Sequence, residues 1–187
     1  MNIWKRRLAF CLVMLLGGSI VWATKLAPLN LEQLCRQSGQ IYRGTVVSVE
    51  EKSIEVGGGS LPSLSYTIRV DESFKGTFDN VKGHQVAILR TIGTLKQQQS
   101  GRSPIPGFPV LKEGQEYLLM VAPKSVATGL TSTVGLGQGC FELDGKVAVN
   151  LFNNFGLFRG MSSPTASGPL TYDQLRQQIK SIVGGGQ

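Results

Sequence analysis

The first 23 residues constrain this chain more than any other stretch. Lys5-Arg6-Arg7 precedes an uncharged, mostly apolar run from Leu8 to Val21, and the run closes on Val21-Trp22-Ala23. A positive start, a short apolar centre and small residues at −3 and −1 of a cut site form the pattern of a secretory signal. The pattern places the cut between Ala23 and Thr24. The rest of the chain is therefore expected to work outside the cytoplasm, secreted or periplasmic. A spanning anchor needs about 20 apolar residues, and Leu8 to Ala23 is shorter and interrupted by Gly17-Gly18. Cys11 lies ahead of most of the apolar run, where a lipoprotein cysteine would come after it. Arg6-Arg7 matches a twin-arginine signal only in part.

Residues 24–187, beyond the cut, suit one domain with its own core. The chain carries 19 Lys+Arg and 12 Asp+Glu; with Lys5, Arg6 and Arg7 removed, 16 basic residues face 12 acidic ones, a net +4. The basic residues are spread along the chain, without the clustering and interleaved aromatics of a nucleic-acid footprint. Nucleic acid is excluded as a partner on that ground, and a membrane enters only through the signal segment if it stays uncut. Cys35 and Cys140 remain, and two cysteines in an oxidising compartment usually pair. Their bridge is expected, closing a loop worth about 4–5 kcal/mol in the chain-entropy account. Two buried free thiols are the alternative.

The local signals are mostly those of strands. Asn30, with Gln33 three residues on, caps a short helix that puts Leu31, Leu34 and Cys35 toward a core and ends at Ser38-Gly39. Strands are expected over 41–50, 64–70, 85–92 and 116–122, with a hairpin of 140–143 and 146–150 about Asp144-Gly145. Gly57-Gly58-Gly59 supplies a turn between the first two. Residues 93–113 read as one long loop, its Gln97-Gln98-Gln99-Ser100-Gly101 half mobile and its Pro104–Pro109 half stiff. Residues 162–170 are a linker. Thr171, with Gln174 at N3, opens a last helix over 171–187 whose stripe is Leu175, Ile179, Ile182 and Val183.

Helix, then Ile41-Tyr42-Arg43-Gly44-Thr45-Val46-Val47-Ser48-Val49, then Tyr66 to Gly76, then Gly114-Gln115-Glu116-Tyr117-Leu118-Leu119-Met120 resembles the netrin-like, TIMP-like (tissue inhibitor of metalloproteinases) class, most of all its small exported bacterial members. The resemblance covers roughly residues 30–150. It implies an all-β domain over 24–161, an OB-like five-stranded Greek-key barrel with short flanking helices. TIMP inhibitors chelate a protease zinc through an N-terminal cysteine. Here the chain after the cut starts Thr24-Lys25-Leu26, so that mechanism does not carry over.

Few residues suggest chemistry. His84 is the only histidine, in a turn entering a strand, and reads as a surface residue; a metal site needs several ligands at set spacing. Gly135-Leu136-Gly137-Gln138-Gly139 precedes a strand, not the helix a phosphate loop needs, and reads as a structural bend. Glu50-Glu51 and Asp71-Glu72 are adjacent on strands, so each pair points to opposite faces. Leu151 to Phe158, with its three aromatics, reads as core or an edge strand. The best binding candidate is Ile105-Pro106-Gly107-Phe108-Pro109-Val110, where prolines reduce the entropy lost on docking. Ile105, Phe108 and Val110, with Arg102, are the expected contacts. The expected function is a non-catalytic binding module without cofactor, recognising an exported protein or a cell-surface polymer through the barrel mouth and the 102–112 loop. A protease inhibitor using another surface, its partner an extracellular protease, and a hydrolase with an unrecognised site, checked by His84→Ala, are the alternatives.

Overall fold

The computed structural model describes residues 26–161 and 168–185. The signal, its cut at Ala23 and Thr24, and residues 162–167 of the expected linker lie outside the described residues.

The helix ends form where local chemistry demands them. In α1 (Leu31–Gln37) the Asn30 side chain accepts from Gln33 N–H while the Gln33 side chain accepts from Asn30 N–H, which satisfies two orphan donors at once. Thr171 and Gln174 do the same at α3 (Tyr172–Gly184). Eight strands lie between these helices in the chain: β1 (Gln40–Val56), β2 (Gly59–Lys75), β3 (Asp79–Val81), β4 (His84–Ile92), β5 (Glu116–Val121), β6 (Cys140–Asp144), β7 (Val147–Asn150) and β8 (Leu170–Thr171). Every pairing is antiparallel, in the order β3-β4-β2-β1-β5-β6-β7-β8. The domain is thus all-β with a few short helices, as expected. Its ladder runs as one open eight-stranded sheet, and not as five strands hydrogen-bonded into a ring.

β1 and β2 are longer than their sequence patterns indicate because their hairpin arm runs on past the core to the Gly57-Gly58 turn. β1 also bends. Its pairing with β2 shifts register at three points, one between Arg43 and Gly44, and such bulges kink a strand. Gly44 is required there, since a Cβ would sit 2.3 Å from the Arg69 carbonyl oxygen.

β5 is buried on both faces, which divides the core in two. Leu118 and Met120 face α1 and α3, where they meet Leu31, Leu34, Cys35, Leu175 and Ile179. Tyr117, Leu119 and Val121 face the other way, toward Tyr66, Ile68, Leu89 and Leu111. The alternation expected for Leu64, Tyr66, Ile68 and Val70 is what fills this second core.

That division settles the cysteines. Cys140 pairs in register with Leu119 and shares its face, while Cys35 sits in the core under the helices. Both are buried free thiols, so the expected Cys35–Cys140 disulfide is corrected: the sheet lies between the two side chains. Burial pushes the Cys35 thiol up to about 12 and the Cys140 thiol higher still, which leaves both protonated and unreactive.

Around Glu72 the last helix is held to the sheet by charge. Tyr172 Oη donates to the carboxylate at 2.7 Å, Arg176 Nε at 2.7 and 3.0 Å, and Lys180 Nζ lies 3.0 Å away. Arg43 stacks over the Tyr172 ring and Lys180 over Phe74. Burial alone would raise Glu72; the hydrogen bonds from Tyr172, Lys180 and Arg176 outweigh it and hold the carboxyl at about 2.

Candidate functional site

Four segments far apart in sequence meet on one face. They are the entering residues 26–30, the 93–113 connection, the 122–139 connection and the turns of 151–160. Gly137 N–H donates to Gly107 O at 2.7 Å. The approach is so close that a Cβ on Gly137 would lie 2.5 Å from Leu151 and 2.9 Å from Gly107 O. A Cβ on Gly156 would lie 2.9 Å from Pro28, and one on Gly135 would lie 3.0 Å from Leu29. Leu31 N–H donates to Leu157 O at 2.7 Å.

Buried amides tie this face together. Gln138 Oε1 accepts from Leu29 N–H at 2.7 Å, and its Nε2 donates to Ala27 O. Asn150 Nδ2 donates to Gln138 O, and Asn150 Oδ1 accepts from the N–H groups of Phe152 and Asn154. Asn154 Nδ2 donates to both Ala148 O and Gly168 O. Each amide is buried, so each must keep its partners or bear a desolvation cost of about 1–3 kcal/mol. Sequence reasoning does not mark these three residues. The one local signal is Asn153-Asn154 ahead of Gly156: both asparagines adopt positive φ, which that side chain tolerates better than most.

The 93–113 connection is more ordered than its composition indicates. Thr94 and Gln97 form a third reciprocal cap, starting the short helix α2 (Leu95–Gln99). Gln98 is held at both ends: its Oε1 accepts from Tyr66 Oη at 2.7 Å and its Nε2 donates to Leu111 O. The Tyr117 hydroxyl accepts from Lys112 N–H. The Gln-rich half, expected to be mobile, is therefore tied to the core through Gln98 and Tyr66, and the far end of the connection through Lys112 and Tyr117.

The expected contact residues separate. Ile105 stands at the rim, 36% exposed, and Arg102 is exposed. Val110 is half-buried, and Phe108 is only 5% exposed. Phe108 is thus not free to anchor in a partner's groove; it is the wall between two clefts of this chain. One, of about 370 Å³, is lined by Ile92, Ile105, Phe108, Pro123, Leu130 and Leu136, among others, and is mainly apolar. The other, of about 330 Å³, is lined by Val110, Lys112, Tyr117, Glu142, Val149 and Leu151 as well as Phe108. Arg102 lines neither cleft.

The remaining candidates are dispersed. His84 is exposed at the start of β4. Glu50 faces Lys52, Glu51 accepts from Leu95 N–H, Asp71 pairs with Arg69, and Glu72 belongs to the helix clamp. The ladder sets Glu50 opposite Ser65 and Glu72 opposite Arg43, so no carboxylates converge across β1 and β2. Gly135–Gly139 forms a 3₁₀ turn over Leu136–Gly139 that leads straight into β6. Leu151 to Phe158 is neither strand nor wholly core: Leu157 and Phe158 are buried, while Leu151, Phe152 and Phe155 point out. Among the described residues no three His, Cys, Asp or Glu side chains gather as a metal site would need. Comparison with protein-family models and with curated protein sequences gives no match.

Proposed function

We propose that this chain is an exported, non-catalytic binding module that grips a partner, a protein or a cell-surface polymer, in the Ile105 cleft. The observation that carries the reading is the cleft itself: an apolar groove with a rigid floor in Phe108 and an accessible edge in Ile105. The floor is held by Phe108 N–H donating to Ile105 O and by Gly137 N–H donating to Gly107 O. A groove formed before binding loses little entropy when it is filled. Signal-like residues 1–23 support the exported setting.

The finer fold reading belongs to the same proposal. We take the sheet as an opened OB-like barrel. Strands β4-β2-β1-β5-β6 stand in the order that barrel needs, short of a pair between β4 and β6. The segment around Thr131 lies beside that gap and links β4 to β5. Thr131 N–H donates to Arg90 O on β4, and Thr133 bridges to Val121 on β5. The groove then lies beside this loop link.

The test is retention of a partner from the host's envelope and culture medium by the exported chain, with Ile105→Ser beside it. A partner held by the wild type and lost by a folded Ile105→Ser supports the reading. A partner held equally by both, or none held by either, removes the cleft from the function.

A further inference from the structure

Beside the Ile105 cleft lies a second surface that the cleft does not explain. Leu151, Phe152 and Phe155 are 58, 39 and 61% exposed, on consecutive turns. They point outward because the interior of those turns is occupied by the Asn150–Asn154 amide pair. Clustered exposed aromatics of this kind mark a surface that meets something apolar.

Two further observations say what it meets. The first is charge. Segments 100–112, 122–139 and 150–161 contain no Asp or Glu, while Arg102, Lys112, Lys124 and Arg159 all lie on them. Two acidic residues border the face: Glu142, on the β6 side of Leu151, and Glu113, whose carboxylate accepts from Val49 N–H on β1. The second is where the chain comes from. Leu26 enters at this face, with Pro28 against Gly156 and Ala27 bonded to Gln138. Four residues separate it from Val21, the end of an apolar run built to enter a membrane. Fully extended, that stretch spans at most about 18 Å. As the chain crosses the membrane, and for as long as the signal stays uncut, this face is held next to the bilayer.

We propose that Leu151, Phe152 and Phe155, rimmed by Arg102 and Arg159, dock this domain peripherally on an anionic lipid bilayer. Aromatic and aliphatic side chains enter the boundary between headgroups and acyl chains, and the basic rim meets lipid phosphate. The proposal rests on the turn surface and the position of Leu26, and it stands or falls separately from the Ile105 cleft.

The test uses the chain as recovered from the host, its N-terminus read by mass spectrometry, with Phe155→Trp as a depth reporter. The chain's own tryptophans, Trp4 and Trp22, both lie within residues 1–23 and are changed to Phe where the exported form keeps them. On phosphatidylcholine vesicles containing phosphatidylglycerol, the indole emission of the Phe155→Trp variant is expected to shift blue and to be quenched by brominated acyl chains. Where residues 1–23 have been removed, Phe152→Ser with Phe155→Ser is expected to lower vesicle partitioning about tenfold, with an unchanged thermal transition. Emission that stays water-like on vesicles overturns the proposal, as does a folded double variant that partitions like wild type. A concentration-dependent dimer that the double variant abolishes, without vesicle contact, also overturns it and gives the face to a second copy of the chain.

Discussion

The clamp around Glu72 and the loop face around Gly107 and Gly137 hold their parts together by opposite means. In the clamp, one carboxylate takes hydrogen bonds from Tyr172 and Arg176 with Lys180 beside it, and Lys180 also lies over the Phe74 ring. In the loop face, the ties are backbone groups and buried amides, while its segments carry more basic residues than the single carboxylate Glu113, and Leu151, Phe152 and Phe155 reach into water. A surface whose charges are all matched within the chain has little left to offer a partner. A surface rigid underneath and unmatched on top does, and this is why function is placed on the loops and not on the last helix.

Two core truncations probe that contrast first, because it requires the loop face to be as firmly floored as the clamp. Phe108→Ala is expected to cost about 3–4 kcal/mol, the range for a buried phenylalanine, lowering the melting temperature by roughly 10 °C. Leu175→Ala, which empties the core beneath α3, is expected to cost about 3 kcal/mol. Thermal or denaturant unfolding measures both. If Phe108→Ala costs under about 1 kcal/mol, the floor is pliable and the two regions differ in the opposite sense.

How much of this was legible depends on how far each determinant lies from its partner. The caps at Asn30/Gln33 and Thr171/Gln174 and the alternation of Leu64 to Val70 are decided within a few residues and form as read; the hairpin expected about Asp144-Gly145 forms too, its turn one residue on at Gly145-Lys146. Thr94/Gln97 carries the same local signature, hidden by the polar Gln-rich run that it starts. The face on which Cys140 points depends on its register against Leu119, and a compartment argument about cysteine pairing contains no register. Phe108 is buried and lines one cleft with Pro123, Leu130 and Leu136, on segments joined by bonds such as Gly137 to Gly107 that no spacing announces. The amides of Gln138, Asn150 and Asn154 look like ordinary polar residues until the chain ends they bind, up to 111 residues away, come together.

Acid sharpens the comparison from the other side. Glu72 titrates lower in the folded protein than its usual 4.5, at about 2, because Tyr172, Lys180 and Arg176 outweigh its burial. A depressed folded value gives a contribution that is complete above about 4.5 and disappears as the pH falls toward 2. With its cationic partners half in water, that contribution is roughly 2 kcal/mol. Wild type is expected to lose it over that window, and Glu72→Gln to show a flatter profile there. Equal acid sensitivity in wild type and Glu72→Gln would mean that the clamp is not what holds α3.

The smallest effect expected is none, on adding a reductant. Cys35 belongs to the helix-covered core and Cys140 to the opposite one, so a bridge between them would have to cross the sheet and would bind the two regions into a single unit. With both thiols free, the melting temperature of the chain should be the same with and without reductant, and alkylation under denaturing, non-reducing conditions should modify both cysteines. A bond closing so long a loop would instead contribute about 4–5 kcal/mol, and reduction would lower the transition by well over 10 °C. That result would mean the sheet opens enough to let the side chains meet. The clamp and the loop face could then no longer be treated as independently held, and the reading of the loops as a surface with a floor of its own would fail with them.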